Sequence, residues 1–429
     1  MKRLLATIGS GLLPFFLLAQ VGHIMQGIGA TNMSMGGAAT AQPIDINGAL
    51  QWNPAAISAF DTKLISVNAG LFFSSPVLYS TAPTPGGPMS GVTKDDRGIS
   101  LMPALAMVWG KKNSKHSFGM SAFGISGFGV TFPESNTNPI NMPQNMGGFG
   151  RIQSDYQLLQ VGVTYAYKIT TQLSIGVAPT FNYSALKLAP NPLSSPGQTL
   201  GYPVSDKATA LGFGAQVGVF YNSGKGIKLG ASYKSPQTFG NFDFENTYLD
   251  GSRAPNVKFK MNYPAIISAG IGYSKNKIDM ALDYRFINYE STAGFKEKGW
   301  TNTASVAGFG WKNISVVSAG IQYKGINKLP VRVGYTYSSN PISPELAFFS
   351  TPATAVIKNA FQVGFGYEFN SRFNFNAVYH HGSSAGKTSG SLLSPMLVNA
   401  NNPHGIVPGS NVSYEMTTDL VMFGINYSF

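Results

Sequence analysis

After residue 61 one pattern governs the chain: short stretches of alternating apolar and small or polar residues, joined by connections that are short and long in turn. In NAFQVGFGYEFN (359–370), Phe361, Val363, Phe365, Tyr367 and Phe369 share one face, and Gln362, Gly364, Gly366 and Glu368 the other. Successive side chains of a strand point to opposite faces, so this period of two describes strands with one apolar face. The pattern predicts strands near 62–73, 97–109, 117–131, 152–168, 172–187, 207–221, 227–239, 257–273, 277–289, 313–324, 329–338, 358–369, 372–382 and 413–428. GKKNSKH, KITTQ, NSGKG, SKNK, KGINK and NSR are the short connections, and the long ones lie near 74–96, 132–151, 188–206, 240–256, 290–312, 339–357 and 383–412. About fourteen strands, an even number, with short turns on one rim and long loops on the other, is the pattern of an outer-membrane β-barrel.

Composition points the same way. Charged residues are 11% of the 429, against roughly 25% in an average soluble domain. Beyond the N-terminus no window approaches the ~20 consecutive apolar residues of a spanning helix, so a membrane home requires a closed barrel. The chain has no cysteine, which excludes disulfides and thiolate metal sites. The formal charge of +12 is concentrated in the short turns, at Lys111, Lys112, Lys115, Lys225, Lys228, Lys275, Lys277, Lys324, Lys328 and Arg372. That placement reads as a solvated rim rather than a nucleic-acid stripe.

MKRLLATIGSGLLPFFLLAQ has the basic start, apolar run and small residue of a signal peptide, with cleavage predicted after Ala19. Three regions follow: a signal peptide at 1–19, an N-terminal segment at 20–60, and the barrel at 61–429. The segment GIGATNMSMGGAATAQPIDINGALQWNPAAISAF carries one charge, Asp45, whereas a free tail would be polar and charged. It is expected to fold into the lumen as a plug of short helices. At the other end, DLVMFGINYSF places Val421, Phe423, Ile425, Tyr427 and Phe429 on one face. This is similar to the closing strand of outer-membrane barrels, which implies recognition by the barrel assembly machinery through Phe429 and a monomer set in outer-membrane lipid.

Several segments then carry a family likeness. MGGAATAQPIDINGALQWNPAAISAF, with Asn53, Pro54 and Ala55, resembles the N-terminal hatch of the outer-membrane long-chain fatty acid transporter family (FadL/TodX/OmpP1 type). FGMSAFGISGFGV (118–130) is similar to that family's third strand, and GASYKSPQTFGNFDFEN (230–246) to its seventh strand and following loop. YPAIISAGIGYSKNKIDMALDYRFINY (263–289) and WKNISVVSAGIQYKGINKLPVRVGYTYSSNP (311–341) resemble its later hairpins, so the likeness spans essentially the whole mature chain. It implies a fourteen-stranded barrel plugged by a hatch that passes hydrophobic compounds, long-chain fatty acids by default, without ATP. Ligand is caught by apolar outer loops, held in a lumen pocket and released sideways at a kink in the third strand.

The candidate residues follow from these readings. Gly124, Gly127 and Gly129 sit where the resemblance implies the lateral opening, and glycine inside a strand weakens pairing and admits a bend; barrel curvature is the other reading. Phe239, Phe242, Phe244 and Tyr248, with Leu346, Phe348 and Phe349, are either first contacts for an apolar solute, at about 25 cal/mol per Å² removed from water, or side chains that pack the loops shut. Arg332 is out of phase with Val331, Val333 and Tyr335 and so faces inward. It holds a ligand carboxylate, or it joins Asp279, Asp283 and Arg285 in an internal ion-pair network. The five histidines, His23, His116, His380, His381 and His404, are scattered, Asp95 and Asp96 alone make a solvated pair, and GFGAQVG has the wrong spacing for a dinucleotide loop. No enzyme, cofactor or metal is expected. Uptake of aromatic hydrocarbons and a surface-binding, adhesive barrel with little transport remain the alternatives.

Overall fold

A computed structural model describes residues 22–429, and the predicted signal peptide lies outside the described residues. Fourteen strands form one closed antiparallel barrel. They are β1 Lys63–Thr84, β2 Ile99–Trp109, β3 His116–Phe132, β4 Ile152–Lys168, β5 Leu173–Ala189, β6 Ala208–Asn222 and β7 Ile227–Lys234, then β8 Ala265–Lys275, β9 Ile278–Asn288, β10 Ile314–Tyr323, β11 Val331–Ser338, β12 Asn359–Glu368, β13 Phe373–Ser383 and β14 Asn411–Ser428. Each pairs with the next, and β14 closes on β1 from Leu64 opposite Ser428 to Thr81 opposite Asn411. Closure leaves no strand with a wholly free edge, as a lipid surround demands, although β2 and β3 pair over only part of their length. Among the described residues no helix is long and apolar enough to cross a membrane. The alternation is obeyed: Phe361, Val363 and Phe365 face outward and are exposed, whereas Gln362 is buried in the lumen.

The first strand is longer than its sequence pattern. Ser74-Ser75-Pro76 reads as a strand end, yet β1 continues to Thr84, and its outer half pairs with an added strand, Gly87–Lys94. Pro76 stands where β1 changes neighbour, between the last β2 pair (Phe73 with Ile99) and the first pair of the added hairpin (Val77 with Lys94). A proline is tolerated at such a junction because no ladder hydrogen bond needs its nitrogen.

The N-terminal residues fill the lumen with two short helices, α1 Ala30–Ser34 and α2 Ile46–Trp52, and a 3₁₀ turn, Pro54–Ala59. Almost all of this segment is buried. The wall at its level is lined by glycine. A Cβ at Gly176 would collide with Pro54 and Ala55, at Gly218 with Asn53, at Gly230 with the Thr40 carbonyl, at Gly320 with Met35, at Gly334 with Gly36 and at Gly364 with Ser34. These six glycines lie on β5, β6, β7, β10, β11 and β12, so the hatch rests against bare backbone around much of the circumference.

Gly230→Val is expected to unseat the hatch while leaving the barrel closed, since the collision falls on hatch backbone that has no side-chain freedom to move aside. In planar bilayers the variant should pass steady ionic current, whereas Gly86→Val, in an outer turn where a Cβ meets only the Thr84 hydroxyl at 4.0 Å, should stay as closed as the parent. Equal currents would refute the glycine contact as the seat of the hatch.

Candidate functional site

The wall parts between β2 and β3. Their pairing runs from Trp109 with Phe118 only as far as Ala104 with Phe123. On the other side β3 stays paired with β4, but with a register shift between Gly124 and Ser126 that leaves Ile125 as a bulge. A bulge bends its strand, and from this point β3 leaves β2. Its freed edge finds a partner from inside: Met25 donates its backbone N–H to the Ile125 carbonyl (3.0 Å), and Gly127 N–H and the Ser126 hydroxyl donate to the His23 carbonyl (3.0 and 2.8 Å). Residues 22–25 thus act as a strap along the edge that β2 abandons. Further out, Asp96 N–H reaches the Thr131 carbonyl at 2.8 Å, and Arg97 pairs with Asp155 at 2.9 Å.

Between the strap and that outer tie lies a cavity of about 780 Å³, within the range of small-molecule sites. Phe128, Tyr156 and Leu158 wall it from the lumen side, together with Gly22 and Met25 of the strap. Leu101, Leu159 and Tyr183 wall it as well, and these are outward, lipid-side residues with 73%, 40% and 46% exposure. The cavity therefore crosses the wall. Its outer edge carries Arg97 and Arg151; Arg151 has no ion-pair partner among the described residues.

The hatch beneath is tied to the wall by polar contacts. Asn53 accepts from Ala55 N–H (3.1 Å), capping the 3₁₀ turn that Pro54 opens. Its amide donates to the Thr40 carbonyl (2.8 Å) within the hatch and to the Val219 carbonyl (2.9 Å) of β6. Asp283 Oδ2 accepts from Ala39 N–H, Thr40 N–H and the Thr40 hydroxyl at 2.9, 2.9 and 2.7 Å, and from Arg285 at 2.9 Å. Arg285 also donates to the Gly37 carbonyl and lies 3.8 Å above the centre of the Trp52 ring, a cation–π contact. Trp52's own carbonyl accepts from Gln216 (2.9 Å) and from Ser232.

The other sequence candidates are distributed as follows. Gly124, Gly127 and Gly129 all line the cavity, and Gly129 leaves room for the Arg97 guanidinium. Phe239, Phe242 and Phe244 do not line it; they are buried, Phe239 over Gly212 and the other two stacked side by side, which gives them a packing position. Phe242 and Phe244 belong to a strand, Phe242–Thr247, of a small three-stranded sheet in what the sequence reads as loop. Phe348 and Phe349 sit in the turn Pro344–Ser350 against Trp300 and border a narrow apolar slot with Ile140 and Phe149. Arg332 is near the short-turn end of β11, away from the cavity, and donates to Gln322 (2.6 Å) and Asn376 (3.0 Å). Sequence reasoning passed over the strap, Tyr156 and Arg97, because their neighbours come from distant strands and no local spacing marks them.

A family model described as outer membrane protein transport protein (OMPP1/FadL/TodX) matches residues 22–429. Among solved structures, the fold is similar to that of the P. putida toluene transporter TodX, at 17% identity, a TM-score of 0.68 and coverage of 94% of this chain and 99% of that one. A Pseudomonas aeruginosa FadL homologue aligns at 13% identity and a TM-score of 0.73, over 95% and 100% of the two chains. The Ralstonia pickettii toluene transporter TbuX aligns at 17% and 0.63, over 94% and 99%. A search of curated proteins gives no match.

Asp283→Ala is expected to strand Arg285 as a buried charge without its counter-ion and to lower the stability of the seated hatch by roughly 3–5 kcal/mol. The readout is denaturant unfolding followed by tryptophan fluorescence. The double variant Asp283→Leu/Arg285→Met removes both charges and should recover a large part of the loss; a double variant no better than the single one would show that the ion pair is not what anchors the hatch.

Proposed function

The chain belongs to the OMPP1/FadL/TodX family of outer membrane transport proteins, and from that premise we propose that it takes up long-chain fatty acids and releases them sideways through the gap between β2 and β3. As a family member it is a β-barrel of the bacterial outer membrane that transports hydrophobic compounds, and it is not an enzyme. The observation that carries the lateral route is the cavity that joins lumen-facing Tyr156 and Leu158 to lipid-facing Leu101 and Leu159 where the wall strands stop pairing. An apolar solute on this path stays out of water from pocket to bilayer, and each Å² kept dry is worth about 25 cal/mol. Arg151 at the outer edge supports a ligand with an anionic head, which a guanidinium receives through paired hydrogen bonds. Phe348 and Phe349 are buried against Trp300 and Phe149, so a solute would reach them only through the apolar slot they border. The closure of all fourteen strands within one chain supports a monomer, and a last strand ending in exposed Phe429 supports handling by the barrel assembly machinery. Aromatic hydrocarbons are the second reading, favoured by the similarity of fold to proteins titled toluene transporters.

Gly124→Trp tests the route. A Cβ at Gly124 meets only the Pro103 carbonyl, at 3.9 Å, and Gly124 lines the cavity, so a side chain there is expected to fill the opening. Uptake of a fluorescent long-chain fatty acid by cells expressing the variant should fall at least about tenfold, with a small sugar excluded by both forms. Unchanged uptake would refute lateral release. Inhibition of the parent by toluene but not by unlabelled fatty acid would move the substrate to the aromatic class.

A further inference from the structure

His23, in the strap, is fully buried inside a box of six aromatic rings. Phe128, Tyr156, Tyr263, Tyr289, Phe295 and Trp311 surround its imidazole at centroid separations of 4.9 to 6.3 Å, with Phe295 stacked on it at 4.9 Å and 21°. The Tyr289 hydroxyl bonds Nδ1 at 2.7 Å. The opposite nitrogen, Nε2, and the Tyr156 hydroxyl are buried with no hydrogen-bond partner among the described residues. Burial pulls the imidazole pKa down to about 3, so the ring is neutral at any physiological pH.

The walls of the box come from separate parts of the chain: β3, β4, the connection leading into β8, the residue after β9 and the long connection between β9 and β10. The occupant comes from a four-residue strap held by four hydrogen bonds: three to the edge of β3, where they make the Ile24–Ser126 bridge, and one from the Gln51 amide to the Met25 carbonyl at 3.1 Å. Two walls, Phe128 and Tyr156, also line the 780 Å³ cavity, and so do Gly22 and Met25 on either side of His23. Lifting the strap would therefore join the cavity to an aromatic slot one ring in size. A core side chain has no need of a hydrogen-bonding edge, and a buried polar atom left without a partner is a cost that a core ordinarily avoids. A neutral heteroaromatic ring, stacked on one face and hydrogen-bonded at one edge, has the features of a ligand.

We propose that this box is a binding site for a small flat aromatic ring bearing a hydrogen-bonding group, of the phenol class, and that His23 occupies it as a built-in substitute until residues 22–25 move aside. The ring stacks on Phe295 and its hydroxyl takes the place of Nδ1 at Tyr289. A ligand that must displace an internal competitor binds with an affinity reduced by the fraction of molecules in which the box is empty. Removing the competitor should tighten binding. The inference rests on the transport reading only for the ligand's path to the box, and binding to purified protein in detergent involves no crossing of a membrane, so the two fail separately.

The test is equilibrium binding of phenol to the folded chain, read by quenching of tryptophan fluorescence, with Trp311→Phe assigning the signal to the box. His23→Ala should bind phenol at least tenfold more tightly than the parent, and His23→Phe, which keeps the box filled, should bind no better than the parent. Adding Tyr289→Phe to His23→Ala should lower phenol affinity several-fold and leave toluene affinity unchanged. If His23→Ala does not fold, Ser126→Ala loosens the strap with every wall of the box in place and should tighten phenol binding two- to fivefold. Phenol affinity within twofold of the parent in whichever of these two variants folds, or equal tightening by His23→Phe, overturns the proposal and leaves His23 as ordinary core.

Discussion

The hatch lies against the barrel because the wall has no side chains where the two meet. Gly218 and Gly230 admit Asn53 and the Thr40 carbonyl, and Gly320, Gly334 and Gly364 admit the stretch from Ser34 to Gly36. Glycine in a strand costs roughly 0.5–1 kcal/mol relative to alanine, and a wall that accepts this cost repeatedly gains a surface on which another backbone can lie within hydrogen-bond reach. Asn53 then bonds the Val219 carbonyl, and Thr336 the Gly36 carbonyl at 2.8 Å. The low charge content has the same origin. With the lumen filled by a nearly uncharged segment, the wall carries few inward charges, and Arg285 and Asp283 serve to hold the hatch.

The second constraint is the freed edge of β3. Backbone groups without partners at membrane depth cost several kcal/mol each, so a wall that opens must supply partners from elsewhere. The structure does so at both ends of the gap, with residues 22–25 below and Asp95 to Arg97 above, and the cavity occupies the interval between them. The strap therefore has three roles at one place: ladder partner for the bulged strand, side wall of the cavity and source of the ring in the aromatic box.

Much of this architecture was legible in the sequence. Alternation in NAFQVGFGYEFN and the succession of short and long connections define the barrel, since strand period and turn chemistry are local. The near absence of charge before residue 61 placed the hatch inside, and the resemblance around Asn53 agreed with it. β1 was legible only in part, because Pro76 is a local break signal that a change of pairing partner overrides. The cluster around His23 was not legible at all. Its six rings lie between residues 128 and 311, and only the closed barrel brings them to the N-terminus. Phe242 and Phe244 show the converse: their clustering is visible in the sequence, but they lie in a three-stranded sheet whose strands are separated by irregular chain.

Which part of the plug yields first follows from how each part is held. Four hydrogen bonds fix the strap, three to β3 and one from Gln51 to the Met25 carbonyl, and at about 1 kcal/mol net each they amount to roughly 4 kcal/mol beyond the contacts of the His23 ring. The body of the hatch is held by Asp283, Arg285, Asn53 and the glycine contacts together, where breaking the buried ion pair alone costs roughly 3–5 kcal/mol. A ligand shifts such an equilibrium only by its difference in affinity for the two states. Burying a further 200 Å² of apolar surface, an order-of-magnitude figure, supplies about 5 kcal/mol, which is comparable to the strap's hydrogen bonds and well short of the combined ties of the hatch. Gly22 and Met25 line the cavity, so on the proposed route a solute there would touch the strap itself, whereas Asp283 and Arg285 do not line the cavity. On the proposed lateral route, ligand binding would act at the strap and leave the rest of the hatch seated, so that the barrel would stay closed to water-soluble molecules while a hydrophobic one leaves through the wall.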